Sequence, residues 1–72
     1  MTIPKETLNR WNELREKGDF IILAKKTGLG RISLHNIFTT GECSVRVAEK
    51  INSFYKSRQE KIKSITLEDQ EA

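Results

Sequence analysis

The residues best suited to recognise another molecule lie in one stretch, RISLHNIFT, at 31–39. A helix of 3.6 residues per turn would place the apolar side chains of this stretch on one face: Leu34, Ile37 and Phe38. The opposite face would carry polar side chains around one isoleucine: Ile32, His35, Asn36 and Thr39, with Arg31 and Ser33 at its margins. A merely hydrated helix face usually carries more charge. Amide, guanidinium and apolar groups on one helix are typical of a surface that reads base edges in a DNA major groove.

Each of these groups has a defined partner in a major groove. Asn36 would pair with adenine, and Ile32 would touch a thymine methyl group. Arg31 would reach a guanine or a phosphate. Beyond this stretch, the hydroxyl and amide groups of Thr39, Thr40 and Ser44 could hold a phosphate at the start of the next helix, although plain helix capping explains them equally well.

The other chemistry-bearing side chains form no second site. One cysteine, Cys43, excludes an intramolecular disulfide, and with His35, the single histidine, it supplies at most two zinc ligands. Structural zinc normally needs four ligands. Trp11 could stack on a nucleobase, but its spacing with leucines three residues away on either side favours ordinary packing. We therefore expect no metal, no cofactor and no catalytic activity.

Four helices would position the reading stretch, at about 4–17, 20–27, 31–39 and 45–62. The residues that delimit them are Pro4, Gly18, Asp19, Gly28, Gly41 and Ser44. Asp19 would cap the second helix and Ser44 the fourth. We expect an all-α fold, a small four-helix bundle containing a helix-turn-helix, in a domain of residues 1–63. The remaining residues, 64–72, would form a mobile acidic tail.

The charge is distributed unevenly between these two parts. Residues 1–63 hold all 13 Lys and Arg against seven acids, whereas residues 64–72 hold three acids and no base. A basic body suits a polyanion such as nucleic acid. The sequence contains no run of about 20 apolar residues and no signal peptide, so we expect a cytoplasmic protein without a membrane partner.

Two consecutive isoleucines, Ile21 and Ile22, fall on a side of the second helix that is usually polar in such a motif. They either pack on the first helix or contact another subunit, because exposed apolar pairs often mark an interface. The end of the fourth helix, around Ile62, is a further candidate for pairing subunits.

The segment LAKKTGLGRISLHNIFTTG, residues 23–41, resembles the helix-turn-helix of the phage repressor and Cro-like regulators. The shared positions are Leu23, Ala24, Gly28, Leu29, Leu34, Ile37 and Gly41. The continuation SVRVAEKINSFY, residues 44–55, is similar to the helix after the motif in lactose-repressor-type proteins. Three features depart from the pattern: Gly30 replaces the usual Ser or Thr cap, Ile21 and Ile22 replace polar residues, and a fifth helix is not expected.

The resemblance implies that helix 20–27 lies across the DNA backbone and that helix 31–39 enters the major groove. It places base reading at four residues: Arg31, Ile32, His35 and Asn36. It also places Gly30 and Ser33 near the sugar-phosphate edge.

These features predict sequence-specific binding of double-stranded DNA by a bacterial or phage transcriptional regulator, a repressor that acts by occupying its operator. One reading helix covers only about four or five base pairs, so we expect a homodimer on a palindromic site. Two alternatives stay open. The chain could be a recombination accessory factor or an antitoxin that binds DNA and a partner protein, or a protein-interaction module without DNA binding.

Overall fold

A computed structural model describes the backbone of residues 1–71 and the side chains of residues 1–65. The fold is all-α, as predicted, with four helices in chain order: α1 (Lys5–Leu14), α2 (Asp19–Thr27), α3 (Arg31–Thr40) and α4 (Val45–Glu71). Extended pairing within this part of the chain is limited to an isolated bridge between Thr2 and Glu42. None of the helices in the described residues is long and apolar enough to cross a membrane.

All four helices contribute to a single core. α1 packs against α3 and α4, and α2 packs against the same two helices. At the centre, the Trp11 ring lies 5.9 Å from that of Phe38 and 6.4 Å from that of Tyr55, centroid to centroid. Trp11 is 1% exposed. It therefore packs in the core and offers no ring face to a nucleobase.

The first helix is shorter than predicted and ends at Leu14. Arg58, from α4, donates a hydrogen bond to the carbonyl oxygen of Leu14 at 3.1 Å, and the backbone becomes extended at Arg15. A cation on the last carbonyls stabilises a helix end. The sequence pattern around residue 14 contains no such signal, because Arg58 lies 44 residues later in the chain.

Asp19 does not cap α2 as predicted, because its side chain points into the protein and is engaged elsewhere. Its carboxylate accepts hydrogen bonds from the N–H of Glu16 at 2.8 Å, the hydroxyl of Tyr55 at 2.9 Å and both terminal nitrogens of Arg58 at 2.5 and 2.8 Å. Burial by itself raises the pKa of Asp19, but these donors outweigh it and hold the pKa below the ordinary 3.8. Asp19 thereby ties the α1–α2 loop and α2 to α4.

The fourth helix extends beyond its predicted end at 62, and the sequence after Gly41 contains no glycine or proline that would interrupt it. At its start, the Ser44 hydroxyl accepts a hydrogen bond from the N–H of Val47 at 3.3 Å, as predicted for a cap. Ile62 and Ile65 are 46% and 59% exposed. The mobility predicted for 64–72 falls mostly outside the residues whose side chains are described.

The N-terminal residues hold the loop that follows α3. The N–H of Ile3 donates to the carbonyl of Gly41 at 2.6 Å, and the N–H of Cys43 donates to that of Met1 at 3.1 Å. Gly41 has a φ of 78°, and a Cβ atom there would lie 3.3 Å from the side chain of Leu8. The left-handed conformation therefore favours glycine, and a larger residue would also make the Leu8 side chain shift slightly.

Candidate nucleic-acid interface

Three residues, 28–30, join α2 to α3. Gly28 ends α2 with a φ of 76°, and its N–H donates to the carbonyl of Ala24 at 2.9 Å. The Thr27 hydroxyl accepts a hydrogen bond from the N–H of Leu29 at 3.3 Å. Gly30 is extended and precedes α3 without a side-chain cap. Local hydrogen bonds thus define the turn, so the end of α2 determines where α3 begins.

α3 is held at its other end by α1. The side-chain amide of Asn12 donates to the carbonyl of Phe38 at 3.2 Å and to that of Leu8 at 3.0 Å. From its sequence position, Asn12 falls on the polar side of α1. Its role could not be read from the pattern, because the acceptor lies on another helix.

α3 buries one face and exposes the other, as its periodicity predicted. Leu34, Ile37 and Phe38 are at most 6% exposed. The predicted reading and phosphate-contact residues of this helix are all exposed: Arg31, Ile32, Ser33, His35, Asn36, Thr39 and Thr40. Ile32 is 79% exposed. The division of the helix into two faces is confirmed, while contact with DNA stays a prediction.

The three hydroxyls predicted near a phosphate differ in their availability. Those of Thr39 and Thr40 donate to carbonyls one turn earlier in α3, at 2.9 and 2.8 Å. Each would have to give up that bond to donate to a phosphate. The Ser44 hydroxyl accepts its bond from α4, and its proton has no acceptor among the described residues. Ser44 is therefore the hydroxyl best placed for a further ligand.

An open groove runs between the start of α2 and the exposed face of α3, and we call it the α2–α3 groove. Four cationic side chains line it: Arg15, Lys17, Lys25 and Arg31. Four apolar side chains line it as well: Phe20, Ile21, Ala24 and Ile32. Glu16 is the one acid in this lining, and His35 completes its α3 side. The groove therefore combines a positive potential with exposed hydrocarbon.

This groove brings together residues that sequence reasoning had separated. Ile21 was predicted to contact a partner or to pack on α1, and Ile32 to contact DNA. Ile21 is 67% exposed, so it is not packed into α1, and it lines the same groove as Ile32 and His35. Ile22, 43% exposed, lies outside the groove.

The cations of the α1–α2 loop were missed as site residues. The first helix predicted at about 4–17 would include Arg15 and Lys17 in its last turn. Because α1 ends at Leu14, both lie in the loop that borders the groove. The guanidinium of Arg15 stands 5.2 Å from the ring centroid of Phe20, which places it over the apolar lining. The position of Gly18 just after these cations was the available signal for a loop.

A second groove lies on the other side of α2, against α4. The lysines that line this α2–α4 groove are Lys26, Lys50 and Lys61. The ammonium of Lys50 donates to the carbonyl of Lys26 at 2.9 Å. Lys25 and Lys26 are adjacent in the chain, yet they serve opposite sides of α2.

Cys43, half-buried in the loop after α3, is a free thiol. Burial raises the pKa of this thiol, so it stays protonated near neutral pH. The described residues contain no group of three or more His, Cys, Asp or Glu side chains that could hold a metal ion.

Comparisons with protein-family models, with curated proteins and with solved structures found no match to the chain. The functional assignment accordingly depends on the chemistry and geometry of the site.

Proposed function

We propose that this chain binds double-stranded DNA through α3 and acts in the cytoplasm as a transcriptional repressor by occupying an operator. The observation that carries the proposal is the exposed face of α3, with Ile32, His35 and Asn36 at its centre. The same helix is anchored by the turn at its start and by Asn12 near its end. A rigidly supported helix with an exposed reading face is what sequence-specific binding requires.

The exposed face has the functional groups that distinguish base pairs. Asn36 can both donate to and accept from the major-groove edge of adenine, and the Ile32 side chain can make an apolar contact with the methyl group of thymine. Arg31, in the first turn, can reach a guanine or a phosphate.

The cations of the α2–α3 groove supply the sequence-independent part of the affinity. Arg15, Lys17 and Lys25 lie beside the reading face with one acid, Glu16, among them. Neutralising phosphates releases counterions, which drives binding at low salt. In this arrangement Ile21 contacts a deoxyribose or a thymine methyl group, which fits its exposure among charged neighbours.

Useful affinity needs two copies. One α3 can contact only about four or five base pairs, so two chains on a palindromic site give the energy and length that an operator requires. The protein is then a homodimer when it is bound to DNA.

Selection of bound sequences from a random pool of duplex DNA tests the proposal. The wild-type chain should enrich a palindrome whose half-sites span about four or five base pairs, and raised salt should weaken its binding. Asn36→Ala should lose the preference for adenine at one position of each half-site while remaining folded. Lys56→Ala, an exposed cation on α4 outside both grooves, should retain it. Absence of enrichment, or binding that is insensitive to salt, would contradict the proposal.

A second candidate function uses the same face to bind a partner protein, as a recombination accessory factor, an antitoxin or an interaction module would do. The exposure of Ile21 and Ile32, 67% and 79%, favours it. Ile32→Lys separates the two. The added charge should preserve or raise non-specific DNA binding, but it should abolish an apolar protein contact.

A further inference from the structure

We propose that the α2–α3 groove also binds the acidic C-terminal segment, residues 64–72, of a second copy of this chain, and that this contact keeps DNA out of the groove in the DNA-free protein. The contact between copies is independent of the proposed function. Only its effect on DNA binding rests on that function.

The groove calls for a ligand with two kinds of group. Its four cations face a single acid, Glu16, so it favours carboxylates or phosphates. Its apolar lining includes Ile21 and Ile32, which are 67% and 79% exposed. Covering such side chains removes hydrocarbon from water, which adds to the electrostatic attraction.

The C-terminal segment has this composition. Its sequence, SITLEDQEA, contains three acids and no base: Glu68, Asp69 and Glu71. It also contains two large apolar residues, Ile65 and Leu67. Charge and hydrophobicity therefore complement the groove, and the acids stand in for the phosphates of DNA.

The segment that fills a groove comes from another copy because α4 is continuous. Arg58 is held by Asp19 at the start of α2, near the groove. From Arg58 the helix continues to Glu71, a rise of about 20 Å at 1.5 Å per residue. The chain's own segment could return to the groove only if α4 were broken. A second copy can present its segment without any change in fold.

Reciprocal exchange between two copies fills both grooves and closes the assembly as a dimer. A symmetric dimer repeats each contact twice, so weak individual contacts add. Since the contact is largely electrostatic, salt should weaken it.

Sedimentation equilibrium of the full chain without DNA tests the contact. The wild type should form dimers that dissociate as salt rises. The segment variant Glu68→Gln/Asp69→Asn/Glu71→Gln and the groove variant Lys17→Gln/Lys25→Gln should each weaken association at least tenfold. The control Lys5→Gln/Lys56→Gln removes two exposed cations outside the groove and should leave association unchanged. A chain that is monomeric at all concentrations, or that associates equally well without the groove cations, would overturn the proposal.

Charge reversal tests the pairing itself. Lys17→Glu/Lys25→Glu should abolish association, and Glu68→Lys/Glu71→Lys added to the same chain should restore it. Circular dichroism of each variant establishes that it is folded. A folded reversed chain that is not rescued would count against a direct contact.

Methyl NMR distinguishes a second copy from the chain's own segment. The Ile21 and Ile32 signals should shift on dilution of the full chain, while that of the buried Leu34 should not. Shifts that depend on the acids of the segment but not on concentration would show binding within one chain and would overturn the exchange between copies.

The link to DNA is a separate measurement. At concentrations where the wild type is dimeric, the segment variant should bind duplex DNA at least several-fold more tightly, and this advantage should vanish on dilution. An advantage that persists below the dimer range would reflect net charge alone and would contradict the competition. Intact self-association without any DNA binding would instead refute the proposed function and leave the contact between copies standing.

Discussion

Asp19 is the one buried charged residue among the described side chains, and its partners come from the α1–α2 loop and from α4. Its pKa in the folded chain lies below the ordinary value of 3.8 because Arg58, the Glu16 N–H and Tyr55 outweigh the cost of burial. A depressed carboxyl pKa contributes stability above the unfolded-state value, and this contribution is lost as the pH falls through the folded pKa.

The lowered pKa of Asp19 therefore predicts that the stability of the fold is sensitive to acid. The free energy of unfolding of the wild type should decline as the pH drops below about 4. Asp19→Asn should be less stable at neutral pH and should show a flatter profile over the acid range. Urea unfolding at a series of pH values measures both. Glu16→Gln, whose exposed carboxylate lies 4.0 Å from Arg58, is the matched control and should keep the wild-type slope. Parallel profiles for wild type and Asp19→Asn would contradict this prediction.

Asn36 should carry base discrimination while contributing little to stability. Its side chain is exposed, so Asn36→Ala should leave the free energy of unfolding within about 0.5 kcal/mol of wild type. Loss of a bidentate contact to adenine should cost about 1–3 kcal/mol of discrimination between the preferred site and a substituted one. Binding titrations on the two duplexes measure the difference. An equal loss of affinity for both duplexes would indicate that Asn36 contacts the sugar-phosphate backbone of the DNA and not a base.

At the scale of the elements, the two ends of α3 determine how its exposed face is oriented. α3 begins after the short turn at residues 28–30. It ends at Gly41, which packs against Ile3 and Leu8. Gly30 and Gly41 flank the same helix, but they face different constraints. Gly30 is extended, and a Cβ atom added there would meet no other atom within 4 Å. Gly41 has a positive φ, and a Cβ atom added there would lie 3.3 Å from the Leu8 side chain.

These two glycines form a matched pair for mutation. Gly41→Ala should destabilise the protein by about 1–2 kcal/mol or more, because an alanine pays for the left-handed conformation and also crowds Leu8. Gly30→Ala should be neutral or slightly stabilising, since its backbone suits any residue and the unfolded chain loses freedom. Urea unfolding of both variants measures the contrast. Similar losses at both positions would show that the positive φ is not the cause.

At the scale of the whole molecule, α2 separates two basic grooves. The net charge of the chain does not show how the cations are divided between them. Arg15 and Lys17 belong to the α2–α3 groove beside the exposed face of α3, and Lys61 belongs to the α2–α4 groove. The proposed DNA complex engages the first of these grooves. The position of a cation in the fold, rather than its presence in the sequence, then determines its effect on binding.

Salt titrations of DNA binding measure this difference. Arg15→Ala and Lys17→Ala should each lower the slope of log affinity against log salt by about one. Lys61→Ala removes the same charge and should leave the slope unchanged. Equal changes for all three variants would indicate attraction by net charge without a defined phosphate path.

Local patterns determined much of this fold. Periodicity correctly divided α3 into a core face and an exposed face, because the geometry of a helix converts spacing directly into direction. Gly28 and Gly41 correctly marked helix ends, since each lies in the left-handed conformation that glycine adopts most readily. The four-helix order followed from these same local signals.

Only the tertiary structure decided the features that depend on distant partners. Arg58 ends α1 early and draws the Asp19 carboxylate away from capping α2, and both contacts span about 40 residues or more. The early end of α1 in turn leaves Arg15 and Lys17 in a loop beside α3. The exposed stretch at 31–39 was evident from sequence because its chemistry lies on one helix. The groove around it was not, because no local pattern records which side chains of separate elements will meet.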